Sequence, residues 1–324
     1  MTLGSTDGPG IIEHIETRAV RDGLGRYLLK ANFPTAISVF APDGRFLRSL
    51  GRAGGGPGEF RGIGSLSVLP GDSLVVFDWG SSRYSIFSPG LDFVTSGPLP
   101  LTPELSSLAL RSGKFLFNHA LFSPNEVGQP LHLVNRTGAR ERSFGSSTGV
   151  YRPDVPFLMS RAIAESRSGR VWAASRTEYR IDLLNPETGS IERTIRRDVP
   201  WFPSGMRPEP RGSAATLEPK PFIFDVREDQ AGRLWVLIAV ADPQWRSAVR
   251  APGAGDSHGT VTNEQRYRDT VIEVLDTSAG RLLASVRLPQ HIKQFVSDNL
   301  IGTVMEDADG MPRFFTWQLQ LRTP

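Results

Sequence analysis

Apolar residues along this chain fall in short runs, some alternating with polar residues and some continuous. Almost none recur at the three-to-four spacing of a long helix. Runs of about four to eight such residues between turn signals predict β-strands. Pro (25) and Gly (33) punctuate the chain too often for helices of more than a few turns. Ala36–Gly51 reads as two alternating runs around Pro42-Asp43-Gly44, a hairpin whose turn residues suit its dihedral angles. Gly64–Gly97 carries four runs, with turns at Pro70-Gly71-Asp72, Gly80-Ser81-Ser82 and Ser88-Pro89-Gly90.

The four-run unit then repeats. Its copies span residues 16–51, 63–97, 105–145, 158–197, 221–289 and 291–321, the last with only three strands. A glycine and a basic residue lead into the second strand at Gly25-Arg26, Gly113-Lys114, Gly169-Arg170 and Gly232-Arg233. A period of about 40–50 residues is that of propeller blades. The predicted fold is all-β, one domain: a six-bladed β-propeller of four-stranded antiparallel blades. A closed ring wants every edge paired. The spare N-terminal run Ile11–Ile15 is therefore expected to complete the last blade.

Composition narrows the chemistry. The chain has 324 residues, 39% hydrophobic and 22% charged, enough for a sizeable core. Its net charge is +3 and it has no long basic run, which argues against nucleic acid. With no cysteine, the chain has no disulfide, zinc–thiolate site or cysteine nucleophile. No run approaches the roughly 20 apolar residues of a membrane helix. The opening MTLGSTDGPG does not read as a signal peptide.

Motifs of catalysis are weak. Gly54–Gly58 lacks both P-loop and dinucleotide spacing. Ser147 in GSSTG matches a nucleophile elbow in letters only, since no strand–turn–helix surrounds it. The five histidines show no paired metal-ligand spacing. Glu59, Asn118, Asp225 and Asp298 are the candidates for a calcium ion in the central channel.

One stretch carries a resemblance. Gly51, Arg52, Gly54, Gly56, Pro57, Gly58, Glu59 and Phe60, followed by Asp78, Arg83 and Phe87, match a G-R-x-G-x-G-P-G-E-F loop and the strand after it. In this the chain resembles bacterial six-bladed β-propeller proteins of the NHL-repeat-like group. The resemblance implies the same fold over essentially the whole chain. It also implies an exported, periplasmic or lipid-anchored location, from which this chain departs in its lack of a signal and of a lipidation cysteine. It supplies no catalytic residue.

In such a blade the turns from strand one to two and from three to four share a face. The other connections share the opposite face, and here they hold the long segments: Gly51–Gly62, His119–Gln129, Gly145–Pro156, Asp198–Lys220 and Ala241–Arg268. Loops on a rigid scaffold carry function. The candidate binding residues on that face are Arg52, Arg61, Trp79, Arg83, His119, Tyr151, Arg152, Tyr179, Trp201, Trp245, Arg246, His258 and Arg268, because Arg and aromatic side chains anchor recognition surfaces. The expected function is non-enzymatic recognition of a protein, peptide or glycan, without a cofactor. The alternative is a lactonase-like hydrolase or lyase with a divalent cation in the channel. Within the glycine-rich stretch, Phe60 is expected to pack inside and Glu59 to pair with an arginine or a backbone amide.

Overall fold

The computed structural model describes residues 1–14, 16–30, 35–99, 106–119, 128–145, 160–203, 218–251 and 259–322. It is an all-β six-bladed β-propeller built of four-stranded antiparallel blades. The chain divides into two compact units.

The first unit holds four blades. Blade one is β2 (Arg18–Arg21), β3 (Tyr27–Lys30), β4 (Ile37–Phe40) and β5 (Phe46–Leu50). Blade two is β6 (Ile63–Val68), β7 (Leu74–Asp78), β8 (Arg83–Phe87) and β9 (Phe93–Pro98). Blade three is β10 (Ser106–Ala109), β11 (Phe115–Asn118), β12 (Leu131–Val134) and β13 (Arg140–Phe144). Blade six is β24 (Gln294–Ser297), β25 (Leu300–Glu306) and β26 (Pro312–Gln318), with β1 (Thr2–Leu3) as its outer strand.

The second unit holds two blades. Blade four is β14 (Arg161–Glu165), β15 (Val171–Ser175), β16 (Arg180–Leu184) and β17 (Ile191–Arg196). Blade five is β18 (Phe222–Glu228), β19 (Arg233–Ala241), β22 (Arg268–Asp276) and β23 (Arg281–Leu288). Between β19 and β22 an insertion carries a small hairpin, β20 (Val249–Arg250) with β21 (Thr260–Val261).

Burial explains the mixed strand patterns. Second strands lie between two neighbours in their own sheet and are covered on both sheet faces. All five residues of β7 are buried, and so are seven of the nine in β19. Such strands read as continuous apolar runs, whereas outer strands such as β9 and β23 are mostly exposed. Blades interlock at their inner strands. Ser65 and Ser107 share a hydroxyl–hydroxyl hydrogen bond, and the Ala109 N–H donates to Ser67 Oγ (3.1 Å).

The strand that closes blade six is β1, not the expected Ile11–Ile15. Leu3 is fully buried opposite Phe314, and the Thr316 N–H donates to the Met1 carbonyl at 2.8 Å. With the free edge of β26 taken by β1, Ile12 reaches the same apolar cluster as a packed side chain, outside any ladder. Ile15 lies outside the described residues.

The glycine–basic signature has a partner that its letters hide. Three residues before the glycine stands Asp22 in blade one and Asp229 in blade five. Asp22 accepts from the Arg26 N–H (2.8 Å) and from Arg26 Nε (2.7 Å). Asp229 Oδ1 accepts from the Ala231 and Arg233 N–H groups, and its Oδ2 from Arg233 Nε (2.7 Å) and the Trp235 indole (2.8 Å). The carboxylate thus pins the turn, its arginine and the core tryptophan together.

Burial by itself would raise the Asp229 carboxyl, but hydrogen bonds from Trp235 and Arg233 hold it below the usual aspartate range. A depressed folded pKa stabilises the fold above about pH 4, and that contribution fades as pH falls through the folded value. Asp229→Asn is expected to cost about 1–3 kcal/mol at pH 7. Urea unfolding at pH 7 and pH 3 should show the difference from wild type shrinking in acid. A difference independent of pH would contradict this role.

Candidate functional site

The glycine-rich stretch is one of the long connections and is built around a buried ring. It runs from β5 to β6, residues 51–62. Phe60 is fully buried among the apolar side chains of blades one and two, with its ring 6.1 Å from that of Phe87. The ring occupies the space a side chain at Gly51 would need: a Cβ there would sit 2.2 Å from Phe60 Cε2, and φ is +79°. Glycine at this position is therefore demanded twice over.

Polar groups lock the rest of the loop. The Phe60 N–H donates to the Arg52 carbonyl (2.8 Å), and the Gly54 N–H to the Phe60 carbonyl (3.0 Å). Glu59 accepts from the Gly56 N–H and from Arg52 Nε, both at 2.8 Å. The Gly56 N–H and then the Arg52 guanidinium hold its carboxyl below the usual glutamate range. From β8, Arg83 donates to the carbonyls of Gly55 (3.0 Å), Gly56 (3.0 Å) and Glu59 (2.6 Å). From the end of β7, the buried Asp78 carboxylate accepts from the N–H groups of Arg61 and Gly62, the latter at 2.8 Å.

Blade five of the second unit repeats the device. Arg268 opens its third strand, as Arg83 opens that of blade two. It donates to the Lys220 carbonyl (2.7 Å) on the connection leading into its own blade, and lies 4.9 Å from the Phe222 ring. In the insertion after β19, Trp245 is buried against Ala248 and Tyr267. Arg246 lies over the Trp245 ring at 4.6 Å and is exposed. Tyr179 is buried as well. Its hydroxyl donates to Glu273, which also pairs with Arg197, and the Arg197 guanidinium sits 5.0 Å from its ring. Burial pushes this phenol far up, against the opposing pull of Arg197.

The expected binding residues therefore divide. Arg83, Arg268, Tyr179 and Trp245 are turned inward to hold loops and blades. Arg52, Arg61, Trp79, Trp201 and Arg246 keep exposed side chains, with Trp79 at 45% and Trp201 at 40% exposure. His119 is half-buried. Its N–H donates to the Pro130 carbonyl, and its own carbonyl accepts from Nε2 of the fully buried His132 (2.8 Å). Since a carbonyl only accepts, Nε2 of His132 donates to it, and Nδ1 shares a hydrogen bond with the Ser143 hydroxyl (2.8 Å). Tyr151, Arg152 and His258 lie outside the described residues.

Several polar residues that matter here give a faint sequence signal. Asp182 sits fully buried between Arg161 and Arg180, at 3.0 Å from each, and also accepts from Thr194. An aspartate inside an apolar strand is the only hint. Lys30, buried at the end of β3, donates to the Ile63 carbonyl (3.3 Å). Burial and then the facing Arg18 pull its pKa down to about 8. Of the calcium candidates, Glu59 is engaged by Arg52 and Gly56. Asn118 donates to Ser106 Oγ (3.2 Å), and Asp225 accepts from the Val226 N–H. Among the described residues no three His, Asp or Glu side chains are grouped to hold a metal ion.

Arg83→Ala removes three charge-assisted hydrogen bonds to the glycine-rich loop. It should cost about 1.5–3 kcal/mol in urea unfolding and open a tryptic cut after Arg52. Wild-type resistance to trypsin at Arg52, retained in the variant together with an unchanged midpoint, would refute the clamp.

No family model and no curated protein matches the chain. Solved structures do. A candidate exported protein of Bacteroides fragilis is 12% identical with a TM-score of 0.61, covering 99% of this chain and 95% of that one. A member of the DUF4221 family from Bacteroides vulgatus is 10% identical with a TM-score of 0.61, over 94% and 92%. A protein of unknown function from Bacteroides caccae is 14% identical with a TM-score of 0.52, over 83% and 80%. At such identities the likeness is one of fold.

Proposed function

We propose that this chain is a non-catalytic binding propeller that recognises a protein, peptide or glycan through the long connections of its blades. The observation that carries the reading is the split among the arginines and aromatics. One set clamps the connections from beneath, and the other is left exposed on them. Clamping of this kind lowers the ordering cost of binding, because the loop is already in place. Exposed Arg and Trp side chains on a rigid base are the residue types that anchor partners.

The group of bacterial propellers with the G-R-x-G-x-G-P-G-E-F loop is the natural home for such a protein. The reading includes a place outside the cytoplasm, supported by the likeness to the candidate exported protein of Bacteroides fragilis.

The test compares wild type with a variant carrying Arg52→Ala, Trp79→Ala, Trp201→Ala and Arg246→Ala on peptide and glycan arrays. All four side chains are exposed and Arg52 gives up a surface pair with Glu59, so the variant should unfold within about 2 kcal/mol of wild type. Ligands held by wild type should be lost or weakened at least about tenfold in the variant, a difference of about 1.4 kcal/mol. Equal retention by both proteins, or retention by neither, would contradict the proposal.

A further inference from the structure

The corner where the glycine-rich connection meets blade two has a chemistry of its own. The Asp78 carboxylate fixes the backbone of Arg61 and Gly62 from within. Directly after Asp78, Trp79–Ser81 make a single 3-10 turn, and the Gly80 N–H donates to the Gly62 carbonyl (3.3 Å). The Trp79 indole lies against the chain at Gly62, where a Cβ would come within 2.8 Å of Nε1. The turn ends on Ser82, whose carbonyl accepts from the Leu99 N–H at 2.8 Å. Backbone and buried carboxylate therefore set the positions of Arg61 and Trp79 with no help from the two side chains themselves.

Those side chains are exposed. Among the described residues, neither the Arg61 guanidinium nor the Trp79 indole N–H has a hydrogen-bond or ion-pair partner; Arg61 bonds to Asp78 through its main chain alone. The neighbouring cations are engaged. Arg52 is paired with Glu59 at 2.7 Å, and Arg83 is spent on three carbonyls. The corner thus offers one guanidinium, lying over Gly55, and one indole, lying against Gly62, both exposed and without a polar partner among the described residues.

We infer that Arg61 and Trp79 form a subsite for a single acidic sugar residue, with a uronate carboxylate on the Arg61 fork and the sugar ring against the Trp79 face. The inference rests on the binding role proposed above and names the ligand chemistry at one of its loops. The guanidinium fork matches a planar carboxylate in two parallel hydrogen bonds. The indole gives an apolar face to the C–H side of a ring. An acidic peptide calls for several open cations in a row, and a neutral sugar leaves the guanidinium unused.

The probes are a galacturonic acid tetramer, a neutral galactose tetramer and tetraglutamate, titrated against the full chain by calorimetry. Wild type should bind the galacturonate saturably, with galactose and tetraglutamate each at least about tenfold weaker. Arg61→Ala and Trp79→Ala should each lose about tenfold, the size of one charge-assisted contact, without a shift in thermal midpoint. Arg61→Lys, a point charge without the fork, should recover only part of the loss. Equal binding of the neutral tetramer, equal or tighter binding of tetraglutamate, no effect in either variant, or no uronate binding would each overturn the assignment. Array ligands that the four-site variant loses, with no uronate binding at Arg61, would sink this inference and leave the binding role standing.

Discussion

A chain that passes from the outer strand of one blade to the inner strand of the next must leave one hydrogen-bonded ladder and cross to another. In between, its backbone groups have no sheet to pair with. Everything on the loop side of these blades depends on how that gap is filled. Blade two fills it with two side chains at its own strand ends: the Asp78 carboxylate takes N–H groups and the Arg83 guanidinium takes carbonyls. Donors and acceptors are matched by a charged group of each sign, both anchored in strands. The connection becomes an extension of the blade.

The same logic reaches the second unit, where Arg268 holds the connection into blade five at the Lys220 carbonyl. There the arginine also lies against Phe222 and Tyr267, so its stem and face are used along with its donors. On the opposite side of the blades the problem is smaller. Turns such as Asp22–Gly25 and Asp229–Gly232 are pinned by a single aspartate each. Long connections need long clamps, and arginine is the side chain with enough reach and enough donors.

Much of the fold was legible because sheet physics writes itself into sequence. Leu74–Phe77 is a continuous apolar run since both faces of its strand are covered, and the hairpins carry their Pro-Asp-Gly and Asp-x-x-Gly turns in plain view. Closure was legible in kind and misplaced in detail. A strand of two residues, Thr2–Leu3, has too few positions to show alternation, while Ile11–Ile15 looked like a strand and its Ile12 is core filling instead. The site was legible only as a composition. Arg83 and Arg52 flank the same loop and are the same residue type, yet one is a clamp and the other is exposed. Trp245 and Trp79 differ in the same way. What separates them is the direction of the side chain relative to a strand end, which no local pattern encodes. Phe60 and Glu59 were foreseeable because a buried ring and an ion pair explain the glycines around them without a ligand.

The central claim is that the glycine-rich connection is a rigid platform, held in one shape before any partner arrives. Amide hydrogen exchange of the free protein tests it most directly. The N–H groups of Gly54, Phe60, Arg61 and Gly62, each with a defined acceptor, should exchange on the timescale of the β7 amides. Exchange of these four amides at the rate of an open glycine-rich loop would contradict the account.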